Sequence, residues 1–241
     1  MMPTVDTTET VADLVKAHPE RAEVFEQFGI DYCCHGKVSL DAACRRDGAD
    51  TELVRQSLRE IDARPTSESF DWSTASLAQL ADHIVAQHHA YLRGELPRLS
   101  ERIDRVVAAH GDKHPELLEV RSVFAALQAE MTAHMMKEEQ VLFPVIRQLE
   151  STPSDERASL QFHCGTVRNP IRVMEHEHDD AGAALRRIRE LTSDYTPPPD
   201  ACETFRALLA GLERLEADMH RHVHKENNIL FPRALELESG H

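Results

Sequence analysis

Two eleven-residue segments of this chain share one pattern. HMMKEEQVLFP at 134–144 and HVHKENNILFP at 222–232 both read HxxKExx(V/I)LFP, 88 residues apart. Each copy sets a histidine four residues before a glutamate, His134 with Glu138 and His222 with Glu226. Four residues make about one helical turn, so imidazole and carboxylate share a helix face. Such a pair, present twice, has the chemistry to hold two metal ions between helices.

The register extends upstream. Phe124, Leu127, Met131, His134, Glu138 and Val141 step by three and four residues, and Leu212, Leu215, Met219, His222, Glu226 and Ile229 repeat them 88 residues later. Histidine and glutamate therefore fall on the apolar stripe of each helix, the face that turns to a core. A carboxylate buried there without a partner would cost several kcal/mol or more, a cost that a bound cation removes.

The elements that position these groups are helical. Of the 241 residues 41% are hydrophobic, only nine are glycine, and the apolar positions recur at helical rather than strand spacing, so the chain reads as all-α. A formal charge of −15 argues against nonspecific binding to nucleic acid or to an anionic membrane. No apolar run approaches the roughly 20 residues of a membrane span. The N-terminal segment MMPTVDTTETVADL has acids and no basic, apolar signal, and the expected location is the cytoplasm.

Residues 1–64 read as a small helical domain. Thr8 is placed to cap a first helix from Glu9 to Ala17, Pro19 starts a second that Gly29 ends, Ser39 caps a third that Gly48 ends, and Asp50 caps a fourth to Ala63. The loop from Asp31 to Val38 carries Cys33, Cys34 and His35. Five cysteines, an odd number, do not form a secreted disulfide framework. Adjacent Cys33 and Cys34, with Cα atoms about 3.8 Å apart, are too close for a relaxed disulfide, which points to working thiols. Cys44 and Cys202 fall in helical patterns and read as core residues.

A polar linker at 65–72 leads to residues 73–241, where four long helical patterns imply an up-and-down bundle. They run from about Ser76 to Ala109, Pro115 to Glu150, Pro170 to Thr192 and Asp200 to Leu237. Pro144 and Pro232 are expected to kink or end their helices.

Each half of the bundle adds a lone histidine to its His/Glu pair. His89 precedes His134 by 45 residues and His178 precedes His222 by 44, as a pseudo-twofold site would require. His176, His220 and His224 point about 160° from their stripes, away from the core. His88 is nearly as well placed as His89, and spacing alone leaves the choice open. Four imidazoles and two carboxylates lack the thiolates of structural zinc and suit iron or manganese, with positions left for an oxo or hydroxo bridge and an exogenous ligand.

These motifs resemble those of the RIC family, the repair-of-iron-centres di-iron proteins. DYCCHGK at 31–37, HMMKEE at 134–139, EHEHDDAG at 175–182 and KENNILFP at 225–232 carry the resemblance over nearly the full length. It implies a hemerythrin-like four-helix bundle behind a small cysteine-bearing domain. It also implies two iron ions on His89, His134, Glu138, His178, His222 and Glu226, which selects His89 over His88. The implied role is repair of iron-sulfur clusters damaged by nitric oxide or peroxide, by iron donation and with nitric-oxide reduction as a proposed second activity. The implied partners are damaged iron-sulfur proteins and small gases, nitric oxide and oxygen, and a homodimer is one arrangement left open. His35 departs from the family's glycine, and the segment 151–169, with His163 and Cys164, is longer than usual.

Beyond the ligands, Cys33, Cys34, Glu130 and Glu177 are the candidates for a catalytic or guiding role. Glu130 lies one turn before His134, and Asp218 one turn before His222, where either acid could orient a histidine or guide iron. Glu177 adjoins His178 and is expected to line the same path. The competing readings are an oxygen carrier or sensor of the hemerythrin kind and a metal-free helical scaffold.

Overall fold

The computed structural model describes residues 8–64 and 71–240, so most of the linker expected at 65–72 lies outside the described residues. The described chain is helical throughout, with isolated bridges at Thr10/Ser39 and Phe162/Gly165 in place of strands.

Four short helices come first: α1 (Val11–Ala17), α2 (Ala22–Gln27), α3 (Leu40–Asp47) and α4 (Thr51–Asp62). Ser39 and Asp50 accept from backbone N–H groups at the starts of α3 and α4, as their positions in the sequence suggest. The cap of α1 differs: Thr10 rather than Thr8 receives the Asp13 N–H. Glu9 and Thr10 are held extended against the segment before α3, where Leu40 N donates to Glu9 O at 3.1 Å and Val11 N to Val38 O at 3.0 Å. Helix cannot start until that pairing ends. Val11, Leu14, Phe25, Tyr32, Leu40, Val54 and Leu58 form the core of this unit, and Val223 of the bundle joins it.

The bundle is built of four rods. The first comprises α5 (Leu77–Ile84), a π-helical turn (Val85–His89) and α6 (Ala90–His110). The second comprises α7 (Glu116–Lys137), a π-turn (Glu138–Leu142) and α8 (Phe143–Ser151). The third is α9 (Arg168–Leu191), and the fourth comprises α10 (Glu203–Lys225), a π-turn (Glu226–Leu230) and α11 (Phe231–Ser239). α6 packs on α7 and α10, and α9 on α7 and α10, which closes a four-membered ring. At Gly211 a Cβ would come within 2.7 Å of Leu99, so the close approach of α10 to α6 needs glycine.

The prolines do not end their helices. Phe143 N–H and Phe231 N–H reach back five residues to the carbonyls of Glu138 and Glu226, and Pro144 and Pro232 then sit at the start of α8 and α11, where a missing N–H costs little. The extra residue also shifts the stripe of the second rod, where Val141 is only partly buried while Leu142 and Phe143 take the core face; in the fourth rod Ile229 stays buried with Leu230 and Phe231.

The 88-residue register reaches the rod ends. Glu150 accepts from Leu77 N and Ala78 N at 2.6 and 2.9 Å, and Glu238 accepts from Val167 N at 2.8 Å, so matched acids cap the first and third rods. Two apolar clusters fill the bundle, one around Leu99, Phe124, Leu185 and Leu212, the other around Ile84, Phe143, Ile171 and Phe231. A polar layer lies between them. The segment 151–169 is tied down by a 3-10 turn (Arg157–Ser159) and packs Phe162 and Cys164 on the second cluster.

Candidate metal centre

The polar layer holds His89, His134, Glu138, His178, His222 and Glu226, each at most 1% exposed. Their ligand atoms form two groups, His89/Glu138/His222/Glu226 and His134/Glu138/His178/Glu226, with the atoms of each within 4.8 Å of one another. Both glutamates belong to both groups. Glu138 Oε2 is 3.3 Å from the Nε2 atoms of His89 and His134, and Glu226 is 3.0 Å from His222 and 3.2 Å from His178.

The layer is poorly satisfied by itself. Both oxygens of Glu138, Glu226 Oε2 and His89 Nε2 are buried without a hydrogen bond, although carboxylate and imidazole are close: their directions, not their distances, are wrong for one. The Nε2 atoms of His134 and His178 face each other at 3.1 Å. Buried polar atoms rarely go unpartnered, and atoms converging on a common point fit a cation between them.

Electrostatics agrees. Burial works against a charged His134, but the Glu138 carboxylate beside it outweighs this and pushes its pKa up to about 9. Burial and the charge of Glu226 push Glu138 upward, and the imidazoles of His134 and His89 hold it below the usual carboxylate range. Glu226, opposed by burial and supported by His222 and His178, is held lower still. The negative form of each carboxylate depends on nearby positive charge, which a cation supplies.

The π-turns place the ligands. His89 closes one, and Glu138 and Glu226 each open another. A widened turn lets adjacent side chains both point inward, and His88 is accordingly buried beside His89. His88 does not join either ligand group: its ring stacks on that of His222, with centroids 5.2 Å apart and planes 4° apart, and its nitrogens bond Asp218 and Lys225.

Outer hydrogen bonds orient three of the four imidazoles. His89 Nδ1 is 2.6 Å from Glu139, His178 Nδ1 is 2.9 Å from Asn227 and His134 Nδ1 is 2.9 Å from Glu177. Glu139 and Asn227 follow the two glutamates in the repeat, a signal present in the sequence but not used above. Glu177 also ion-pairs Lys137. Glu130 does not orient His134; it is exposed and lines, with Glu177, Asp180 and His134, a cavity of about 300 Å³. Asp218 orients His88 rather than His222.

His220 and His224 are not turned to solvent. The N-terminal helices cover that face of α10: His220 Nδ1 is 2.9 Å from Glu26, which also accepts from Tyr32, and His224 is buried against the Tyr32 ring. His176 does face outward. The same docking brings the cysteine loop to the bundle, with Asn228 donating to Cys33 O at 3.0 Å and Cys34 Sγ 3.8 Å from His178 O. Asp31 Oδ1 accepts from the N–H groups of Cys33, Cys34 and His35, and Cys33 Sγ lies 3.8 Å from Cys34 Sγ. Bonding to Cys34 together with full burial pushes the Cys33 thiol well up, so Cys33 is a protonated thiol at neutral pH. A cavity of about 250 Å³ joins both cysteines to His178 and Met219. Cys44 is buried, whereas Cys202 is exposed at the start of α10 and not a core residue.

Comparison with known proteins agrees with this architecture. Residues 80–234 match the Hemerythrin HHE cation binding domain, and residues 7–62 match a Domain of Unknown function, DUF542. The bundle is thus of the cation-binding hemerythrin class. The chain is 36% identical over 227 residues to the iron-sulfur cluster repair protein YtfE of Citrobacter koseri, covering 94% of this chain and 96% of that one. The YtfE proteins of Dickeya chrysanthemi and Escherichia coli O157:H7 match at the same identity and coverage. The chain belongs to the RIC family of hemerythrin-like proteins. None of its described helices is long and apolar enough to cross a membrane.

Proposed function

We propose that this protein repairs iron-sulfur clusters damaged by nitric oxide or oxidative stress, donating iron from a two-iron centre. His89 and His222 would hold one ion, His134 and His178 the other, with Glu138 and Glu226 shared. The observation that carries this reading is the sharing of both glutamates by two histidine pairs. When bound, the iron pair, with its solvent-derived oxo or hydroxo bridge, supplies redox chemistry and the capacity to bind small gases such as nitric oxide.

The residues around the centre have distinct tasks. Glu139, Asn227 and Glu177 fix the rings they bond and keep the inward Nε2 unprotonated and directed at the ion. Glu130, Glu177 and Asp180 give the cavity that reaches His134 an acidic wall, a route along which iron as cargo passes between the centre and solvent. Cys34, partly exposed on the wall of the other cavity, is the thiol placed to meet a client's cluster or thiol, and Cys33 is buried behind it. The sequence division supports the same assignment, with residues 1–64 as the cysteine-bearing domain and 73–241 as the iron-holding bundle.

The oxygen-carrier reading would call for a further imidazole. Neither ligand group has a third histidine, and His88, the nearest in sequence, is engaged by Asp218 and Lys225. The test is reactivation of a nitric-oxide-damaged iron-sulfur enzyme by iron-loaded protein. Recovery of client activity with matching loss of iron from the donor is expected. Equal recovery with a Glu138→Ala/Glu226→Ala variant would refute it.

A further inference from the structure

The two halves of the bundle differ at the position before each lone histidine. Glu177 precedes His178 and His88 precedes His89, so His88 stands on the first rod where the third has a carboxylate. Lys137 forms an ion pair with Glu177, but its counterpart Lys225 meets His88 Nε2 at 3.0 Å instead. The nearest acid on that side, Asp218, is bonded to the far nitrogen of the same ring at 3.0 Å. Lys225 therefore lacks the direct carboxylate contact that Lys137 has.

Lys225 borders a cavity of about 350 Å³ between α1, the start of α2 and the bundle. Lys16 and Arg221 line it as well, and among the described lining residues there is no carboxylate. Neither Lys16 nor Arg221 forms an ion pair with a described residue. This is unusual in a chain with a net charge of −15, where acids outnumber bases 42 to 27. His224, 5% exposed, lines the cavity too, and its Nε2 is buried with no hydrogen-bond partner among the described residues. One wall is aromatic: Trp72 lies over His83 with centroids 3.9 Å apart. Lys16 and Lys225 are half-buried and Arg221 is exposed. Cations gathered around one cavity repel one another, and a buried donor without an acceptor is costly; an anion would relieve both. Three cationic groups and a ring nitrogen set for charge-assisted hydrogen bonds suit a planar or tetrahedral oxyanion.

We propose that this cavity is a binding site for a small oxyanion with at least two negative charges, of the phosphate or dicarboxylate class. The site is separate from the metal layer and shares no residue with it. It neighbours that layer through Lys225, which precedes Glu226 in the chain, and through His88 and the stacked ring of His222.

Trp72 is the only tryptophan of the chain and reports on the cavity directly. Iron-loaded, full-length protein is titrated with inorganic phosphate and, separately, with succinate, each against chloride at matched ionic strength, while Trp72 emission is followed. A saturable change with a dissociation constant below about 1 mM is expected for at least one probe. A Lys16→Gln/Arg221→Gln variant should weaken it at least about tenfold with iron content retained, and Lys225→Met should do the same. A response to phosphate alone assigns a phosphate ligand, to succinate alone a carboxylate, and to both the shared oxyanion chemistry. Absence of a saturable change with either probe overturns the proposal, as does a titration curve that the double variant leaves unmoved.

Discussion

Glu138 and Glu226 face one another across the bundle, each within 3.3 Å of imidazoles from two different rods. Neither can be removed without depriving both ligand groups. Glu138→Ala or Glu226→Ala is therefore expected to reduce bound iron to less than about half of the full complement and to lower Tm, whereas His89→Ala should spare one ion. Iron per chain, measured by colorimetric chelation after gentle purification, decides this. Full iron content in either glutamate variant would exclude a shared-carboxylate centre.

The metal-free protein should be sensitive to alkali. His134, raised to about 9, contributes stability that is complete below its unfolded pKa of about 6.5 and is lost as pH rises through 9. Glu138 and Glu226, held below the usual carboxylate range, contribute above about 4.5 and lose that contribution as pH falls. Stability of the metal-free chain should thus peak near neutrality and drop by on the order of 2 kcal/mol between pH 7 and pH 10 from His134 alone. Urea midpoints across that range are the measurement, and a flat profile contradicts the assignment.

Orientation and passage are separable. Glu177→Gln or Asn227→Ala should weaken iron affinity roughly 10- to 100-fold, because each frees a ligand ring. Glu130→Gln should leave affinity unchanged and slow iron release to a chelator. Competition titrations and release kinetics distinguish the two classes; equal affinity losses in all three variants would remove the distinction.

The N-terminal helices are latched by Glu26, which is bonded by both His220 and Tyr32. Burial acts against the charges, yet their mutual pairing raises the pKa of His220 and lowers that of Glu26, which favours the ionised form of both. His220→Ala should loosen the contact and raise the alkylation rate of buried Cys33 by roughly tenfold, a change of about 1.4 kcal/mol in opening. Cys33 labelling that stays as slow as in the unaltered protein would show that the latch is elsewhere.

Much of the centre was legible because it is duplicated. Four of the candidate ligands, His134, Glu138, His222 and Glu226, could be read from one 88-residue offset, and that offset also relates Glu150 to Glu238 and Glu139 to Asn227, pairs that become visible as partners only in three dimensions. The choice between His88 and His89 could not be made from helical spacing, since a π-turn buries both and α-periodicity assumes 3.6 residues per turn. His220 and His224 were misplaced for another reason. A period computed on one helix describes its relation to the bundle axis and says nothing of a second layer packed on its back. Cys202 falls in a helical pattern only by adjacency, as it precedes α10 rather than belonging to it.

The three π-turns have a consequence for ancestry and for engineering. Each amounts to a one-residue insertion in an otherwise α-helical rod. Deleting a single residue within 139–141 would restore α pitch at the metal layer and leave the residues beyond it on nearly the same faces, because the widened turn already absorbs the extra residue. Val145, Ile146 and Leu149 would then stay in the core and Glu150 at the start of α5, and the change would fall on the turn that begins at Glu138. The rods would therefore survive such a deletion while the turns that place the two glutamates would not, and single-residue gaps at 139–141 or 227–229 in an alignment would mark relatives whose metal layer is built differently.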